Sequence, residues 1–73
     1  MNEEEFHTLA VGDVISYTLS HDQRPTNPLR AYRGVVTKLY PDTYMVIVTL
    51  LEEGYEGLSE QVQMEQIQSV IKG

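Results

Sequence analysis

The chain has 73 residues, no cysteine and a formal net charge of −6. That length holds one domain with a small core, burying roughly 60% of the unfolded surface, and the missing cysteines exclude disulfides and thiolate metal sites and fit a reducing, cytoplasmic setting. The acidic balance repels nucleic acid overall, and no apolar run approaches the ~18 residues of a membrane helix.

The chain starts Met-Asn-Glu-Glu-Glu, acidic where a secretory leader is basic. Residues 1–9 read either as an acidic tail or as one helical turn. For the turn, Asn2 is the N-cap and Glu5 the third residue of a capping box. Met1 and Phe6 then occupy the hydrophobic-staple positions, and Glu3 and Glu4 suit the positive end of the helix dipole. Residues 10–73 read as the folded domain.

Gly12-Asp13 marks a turn into a first strand, where Ile15, Tyr17 and Leu19 alternate with Ser16 and Thr18. Pro25 and Pro28 make 20–29 a loop. Its length exceeds the usual ~2–5 residues of a hairpin, and long loops in compact domains are often functional. Residues 31–40 form a second strand, with a bulge expected at Gly34. Tyr40-Pro41-Asp42-Thr43 is a tight turn with proline at its second position. Residues 44–51 form a third strand with two apolar faces, which belongs in the middle of a structure. Turns follow at Glu52-Glu53-Gly54 and Glu56-Gly57, on either side of Tyr55.

Residues 58–64 alternate like a strand. Residues 65–67 then read as a 3₁₀ turn and 68–71 as a last short strand. A helix is the alternative, because Met64, Ile67, Val70 and Ile71 also cluster on one helical face, with Ser59 as N-cap and Gly73 beyond the end.

Charge is segregated. Residues 20–40 hold Arg24, Arg30, Arg33 and Lys38, four of the five basic residues, against Asp22 alone, which makes the stretch +3 and the remainder −9. Arg33 and Lys38 are five apart, so a regular strand puts them on opposite faces unless a bulge intervenes. The working patch drawn from this pattern is Arg24, Arg30, Tyr32 and Arg33 around the loop, beside the Gly54-Tyr55-Glu56-Gly57 turn. Among the five tyrosines, Tyr32 and Tyr55 are the pair expected to be exposed. Tyrosine covers area at low entropy cost and keeps a polar handle.

The order of five short strands, a long first loop, a tight second turn and a 3₁₀ turn before the last strand resembles the SH3-like small barrels. Gly12-Asp13-Val14-Ile15, Arg33-Gly34-Val35-Val36, Tyr44-Met45-Val46-Ile47-Val48 and Val62, Ile67 and Val70 carry the resemblance, which covers residues 9–72. It implies a mainly β fold: a single five-stranded small barrel. In such barrels the first long loop and the turn before the last strands rim the groove. The fold itself does not give a function. Polyproline-binding members use a tryptophan, which this chain lacks.

Gly12-Asp13, Tyr32-Arg33-Gly34-Val35-Val36 and Val62-Gln63-Met64 are also similar to the type II dihydrofolate reductases, SH3-like barrels that tetramerise around a pore. That likeness implies NADPH and folate in the pore. Here Glu65 stands where that family has its pore tyrosine. Tyr17 and Thr18 occupy the region of its pore lysine.

Little else points to chemistry. His7, His21 and Asp22 are the candidate metal ligands, and their spacing reads as solvated polar residues. A Gly-x-Ser-x-Gly elbow and a phosphate-binding glycine loop are both missing. Glu52, Glu53, Glu56 and Glu60 read as a solvated acidic rim. The expectation is a non-enzymatic module without catalytic residues, metal or cofactor. It binds protein through the 20–33 loop and Tyr55, and the apolar third strand implies a second buried surface, by self-association or by packing of the N-terminal turn. A nucleic-acid-binding barrel using the basic stretch and a small oligomeric reductase are the alternatives. No membrane partner is expected.

Overall fold

The computed structural model describes residues 1–18 and 31–73. Arg24 and Arg30, with most of the long loop, lie outside the described residues. The fold is mainly β. A short helix α1 (Glu3–Phe6) precedes β1 (Val14–Thr18), β2 (Ala31–Tyr40), β3 (Met45–Leu50) and β4 (Ser59–Gln63). A 3₁₀ turn (Met64–Gln66) then leads into β5 (Ile67–Ile71). The C-terminal segment is therefore strand, turn, strand, and the helical alternative falls away.

All pairings are antiparallel, in the order β4-β3-β2-β1-β5. The sheet is open: β4 and β5 are its edges, so the ladder does not close into a barrel. No helix among the described residues is long and apolar enough to cross a membrane.

Alternation within the strands builds the core. Ile15 and Tyr17 from β1, Val36 from β2, Val46 and Val48 from β3, Val62 from β4 and Ile67 from β5 bury one face of the sheet. Phe6 and Leu9 complete that cluster, and Met1 packs against it. The N-terminal segment is thus a helical turn and not a tail. Asn2 Oδ1 accepts from Glu5 N–H at 2.7 Å, and Glu5 returns the bond to Asn2 N–H, closing the capping box.

The second strand differs from expectation in one respect. Its register shift lies between Val36 and Lys38, so the bulge is at Thr37 and not at Gly34. Gly34 is instead a close approach. A Cβ there would stand 2.8 Å from Val48 Cγ2 and 2.9 Å from Val48 Cβ. The extra residue at Thr37 flips the alternation, so Arg33 and Lys38 share the outer face after all, roughly 15 Å apart along the strand.

β3 starts at Met45, one residue later than expected. Tyr44 adopts φ 51, a left-handed conformation that costs an L-residue roughly 1–2 kcal/mol. Its ring is held edge-on by Phe6 and His7, each at 5.6 Å between centroids. Inside the sheet β3 lies between β2 and β4, as two apolar faces require. Its outer face, with Met45, Ile47 and Thr49, is half-buried.

Candidate functional site

Beyond the third strand the chain makes two consecutive turns. Tyr55 N–H donates to Glu52 C=O at 2.9 Å, and Leu58 N–H donates to Tyr55 C=O at 3.2 Å. Gly54 and Gly57 take φ 88 and 86, which only glycine adopts freely. The Glu56 carboxylate caps the first turn by accepting from Gly54 N–H at 2.9 Å. Below these turns, Leu50 N–H donates to Leu58 C=O at 2.8 Å, and Leu51 N–H to Arg33 C=O at 3.0 Å. Backbone hydrogen bonds therefore tie the two ends of the turn segment to Arg33 of β2 and to each other.

This architecture encloses a pocket of about 350 Å³ lined by Tyr32, Leu50, Tyr55, Leu58, Ser59 and Glu60. Tyr55 and Leu58 are 49% and 56% exposed, so two large apolar groups stand at its mouth. Tyr32, expected to be exposed, is half-buried in β2. Tyr17 pairs with Tyr32 across the strands, the ring centroids 6.2 Å apart. Tyr17 is fully buried, and no group among the described residues hydrogen-bonds its hydroxyl. Burial pushes that hydroxyl's pKa up to about 12, and the charges of Glu60 and Glu52 push in the same direction.

Tyr32 and Tyr55, which the sequence reading placed on one contact surface, do line one pocket. Arg33 does not join them. Consecutive residues of a strand face opposite ways, so Arg33 is on the outer face. Its Nε lies 3.8 Å from Glu52 Oε1, and the same carboxylate oxygen accepts from Arg33 N–H at 3.0 Å. At 63% side-chain exposure that ion pair is solvent-screened and weak. Lys38 Nζ sits 5.1 Å from the centre of the Tyr40 ring, and Lys72 bonds Asp13. Each of the three cations among the described residues therefore has an internal partner. Arg24 and Arg30, the other two residues of the expected patch, lie outside the described residues.

Sequence reasoning missed Leu50, Leu58, Ser59 and Glu60 as pocket residues. For Glu60 a signal existed: it shares the inward alternation of Leu58, Val62 and Met64, an acid in an apolar row. Glu52 is no solvated rim residue either, since its side chain is only 18% exposed. Among the described residues no group of three or more His, Asp or Glu side chains is arranged to hold a metal ion.

In the comparisons with known proteins, no family model, curated protein or solved structure matches the chain.

Proposed function

We propose that this chain is a non-enzymatic module that binds a protein segment in the pocket between Tyr32 and Tyr55. The observation that carries the reading is the pairing of those tyrosines, from separate elements, across a concavity whose mouth exposes Tyr55 and Leu58. Exposed aromatic and aliphatic groups around a concavity are the anchors of protein recognition. The strand order β4-β3-β2-β1-β5 and the 3₁₀ turn before the last strand support the SH3-like resemblance. The first long connection and the turn before the last strands rim the groove in such folds. The acid in the pocket favours protein over nucleic acid, because phosphate there would meet Glu60.

A random-peptide display selection tests the reading. The protein is the bait, and Tyr55→Ala combined with Leu58→Ser is the counter-bait. Peptides that bind the former and not the latter, and that shift the amide resonances of Tyr32, Tyr55 and Ser59, are the expected result. Peptides that bind both baits equally, or an empty selection, would overturn it.

A further inference from the structure

The pocket has a composition that selects its occupant. Among the described residues its walls are two tyrosine rings and two leucines, and the titratable lining group other than the tyrosines is Glu60. The register explains why this acid is here: Glu60 pairs with Val48 on the core-facing side of β4, so its half-buried carboxylate is turned toward the open end of the core. Glu52 is paired with Arg33 on the outer face, and neither is among the described residues that line the pocket. A carboxylate at the edge of an apolar, aromatic cavity is left without a cation of its own among the lining residues.

We infer that the pocket takes a basic side chain of the bound segment, its alkyl stem along Leu50 and Leu58 and its charged head between the Tyr55 ring and Glu60. Three features of that group match three features of the cavity. The methylene stem of lysine or arginine is apolar and packs on leucine. A cation is attracted to the face of an aromatic ring. A carboxylate in a partly dry site attracts a cation more strongly than one in open water. A purely apolar occupant would leave Glu60 partly desolvated with nothing to offset the cost, and an acidic occupant would be repelled. The net charge of −6 favours approach of a basic segment over longer range.

This inference rests on the proposed binding reading, and the two fail separately. The probes are butylammonium and butylguanidinium, which reproduce the lysine and arginine side-chain ends, with butan-1-ol as the uncharged comparison of similar length. Each is titrated into the whole protein while backbone amides are followed by nuclear magnetic resonance. One or both cations are expected to shift Tyr32, Tyr55, Ser59 and Glu60 and to bind roughly two- to fivefold tighter than butan-1-ol. Glu60→Gln, which keeps the shape, is expected to erase most of that preference. Butan-1-ol binding as tightly as both cations, no shift at these amides, or a preference untouched by Glu60→Gln would each overturn the inference. The display selection then separates the two ideas. Pocket-dependent peptides without a fixed basic position would leave the binding reading standing and remove this one.

Discussion

Asp13 and Lys72, 59 positions apart in the chain, meet at 2.8 Å between Oδ2 and Nζ, and the Asp13 side chain is only 5% exposed. Asp13 also accepts from Ala10 N–H at 2.9 Å and from Gly73 N–H at 3.2 Å. Lys72 further donates to Thr8 C=O. One buried carboxylate therefore ties the turn before β1 to the end of the chain, next to the Val14–Ile71 pairing that begins the β1–β5 ladder.

This clasp predicts a pH dependence. The Lys72 hydrogen bond holds the Asp13 carboxyl below its ordinary value of 3.8; burial opposes this, and the Ala10 and Gly73 N–H groups add to it. With the folded value depressed, the unfolded chain takes up the proton first as pH falls. The stabilisation is therefore complete above the unfolded value and is lost as pH drops through the folded one. Asp13→Asn should cost about 1–3 kcal/mol at neutral pH. The gap from wild type in urea unfolding should narrow below pH ~4. A gap that stays constant through the acid range would show that ionisation of Asp13 is not its source.

Tyr17 predicts the opposite response to substitution. Its hydroxyl is buried with no hydrogen-bond partner among the described residues, so the group carries a desolvation cost with no bond from them to offset it. Tyr17→Phe should leave stability unchanged or raise it by about 1 kcal/mol, read from the thermal or urea midpoint. The alkaline side gives a second readout. Because burial raises the folded pKa to about 12, the stability from neutral Tyr17 is full below the unfolded value near 10 and is lost as pH rises toward 12. The wild type should weaken over that window, and Tyr17→Phe should weaken less.

Local chemistry made some of this architecture legible and left other parts out of reach. Asn2 and Glu5 announce a helix start because capping is a contact between residues three apart. The inward rows Ile15, Tyr17 and Leu58, Glu60, Val62, Met64 announce strands because alternation is a property of one segment. Gly34 was ambiguous for a physical reason: a glycine inside a strand serves either a bulge or a close approach. Only the position of Val48 decides, and that is set by the β2–β3 register. The same limit applies to Arg33, whose partner Glu52 is 19 positions on, and to Asp13, whose partner is 59 away. Tyr32 and Tyr55 were picked out as amphipathic aromatics near turns, whereas the Leu50 and Leu58 between them looked like ordinary strand residues.

Gly34 should tolerate no side chain. Its φ is unexceptional, so the obstacle is Val48 at 2.8 Å, with Thr49 O at 3.2 Å behind it. Both are in the middle of a paired strand and cannot swing away. Gly34→Ala should therefore lose roughly 1–3 kcal/mol through overpacking. Combining it with Val48→Ala should recover part of the loss, because the clashing methyl is gone. At Gly54 the reasoning reverses: nothing stands within 4 Å, and the φ of 88 alone disfavours alanine. Gly54→Ala should cost roughly 1–2 kcal/mol, and Val48→Ala should not rescue it. Urea unfolding of the three single variants and the two double mutants distinguishes steric from conformational cost.

The N-terminal turn is short enough to be mistaken for a dispensable tail, and its burial argues otherwise. Phe6 is 2% exposed and meets Tyr44 edge-on, while Leu9 is 7% exposed in the same cluster. Phe6→Ala should cost about 3–5 kcal/mol, a large share of what a domain this small has available. Asn2→Ala removes the cap and leaves the packing, so it should cost only about 1 kcal/mol. Tyr44 provides a further check. Its left-handed backbone is strained, and Phe6 is one of the two rings holding it. Tyr44→Gly relieves the strain and loses the ring contacts, so it should destabilise the wild type by more than it destabilises Phe6→Ala. Additive costs in that double-mutant cycle would mean that Phe6 packs on the core without holding Tyr44.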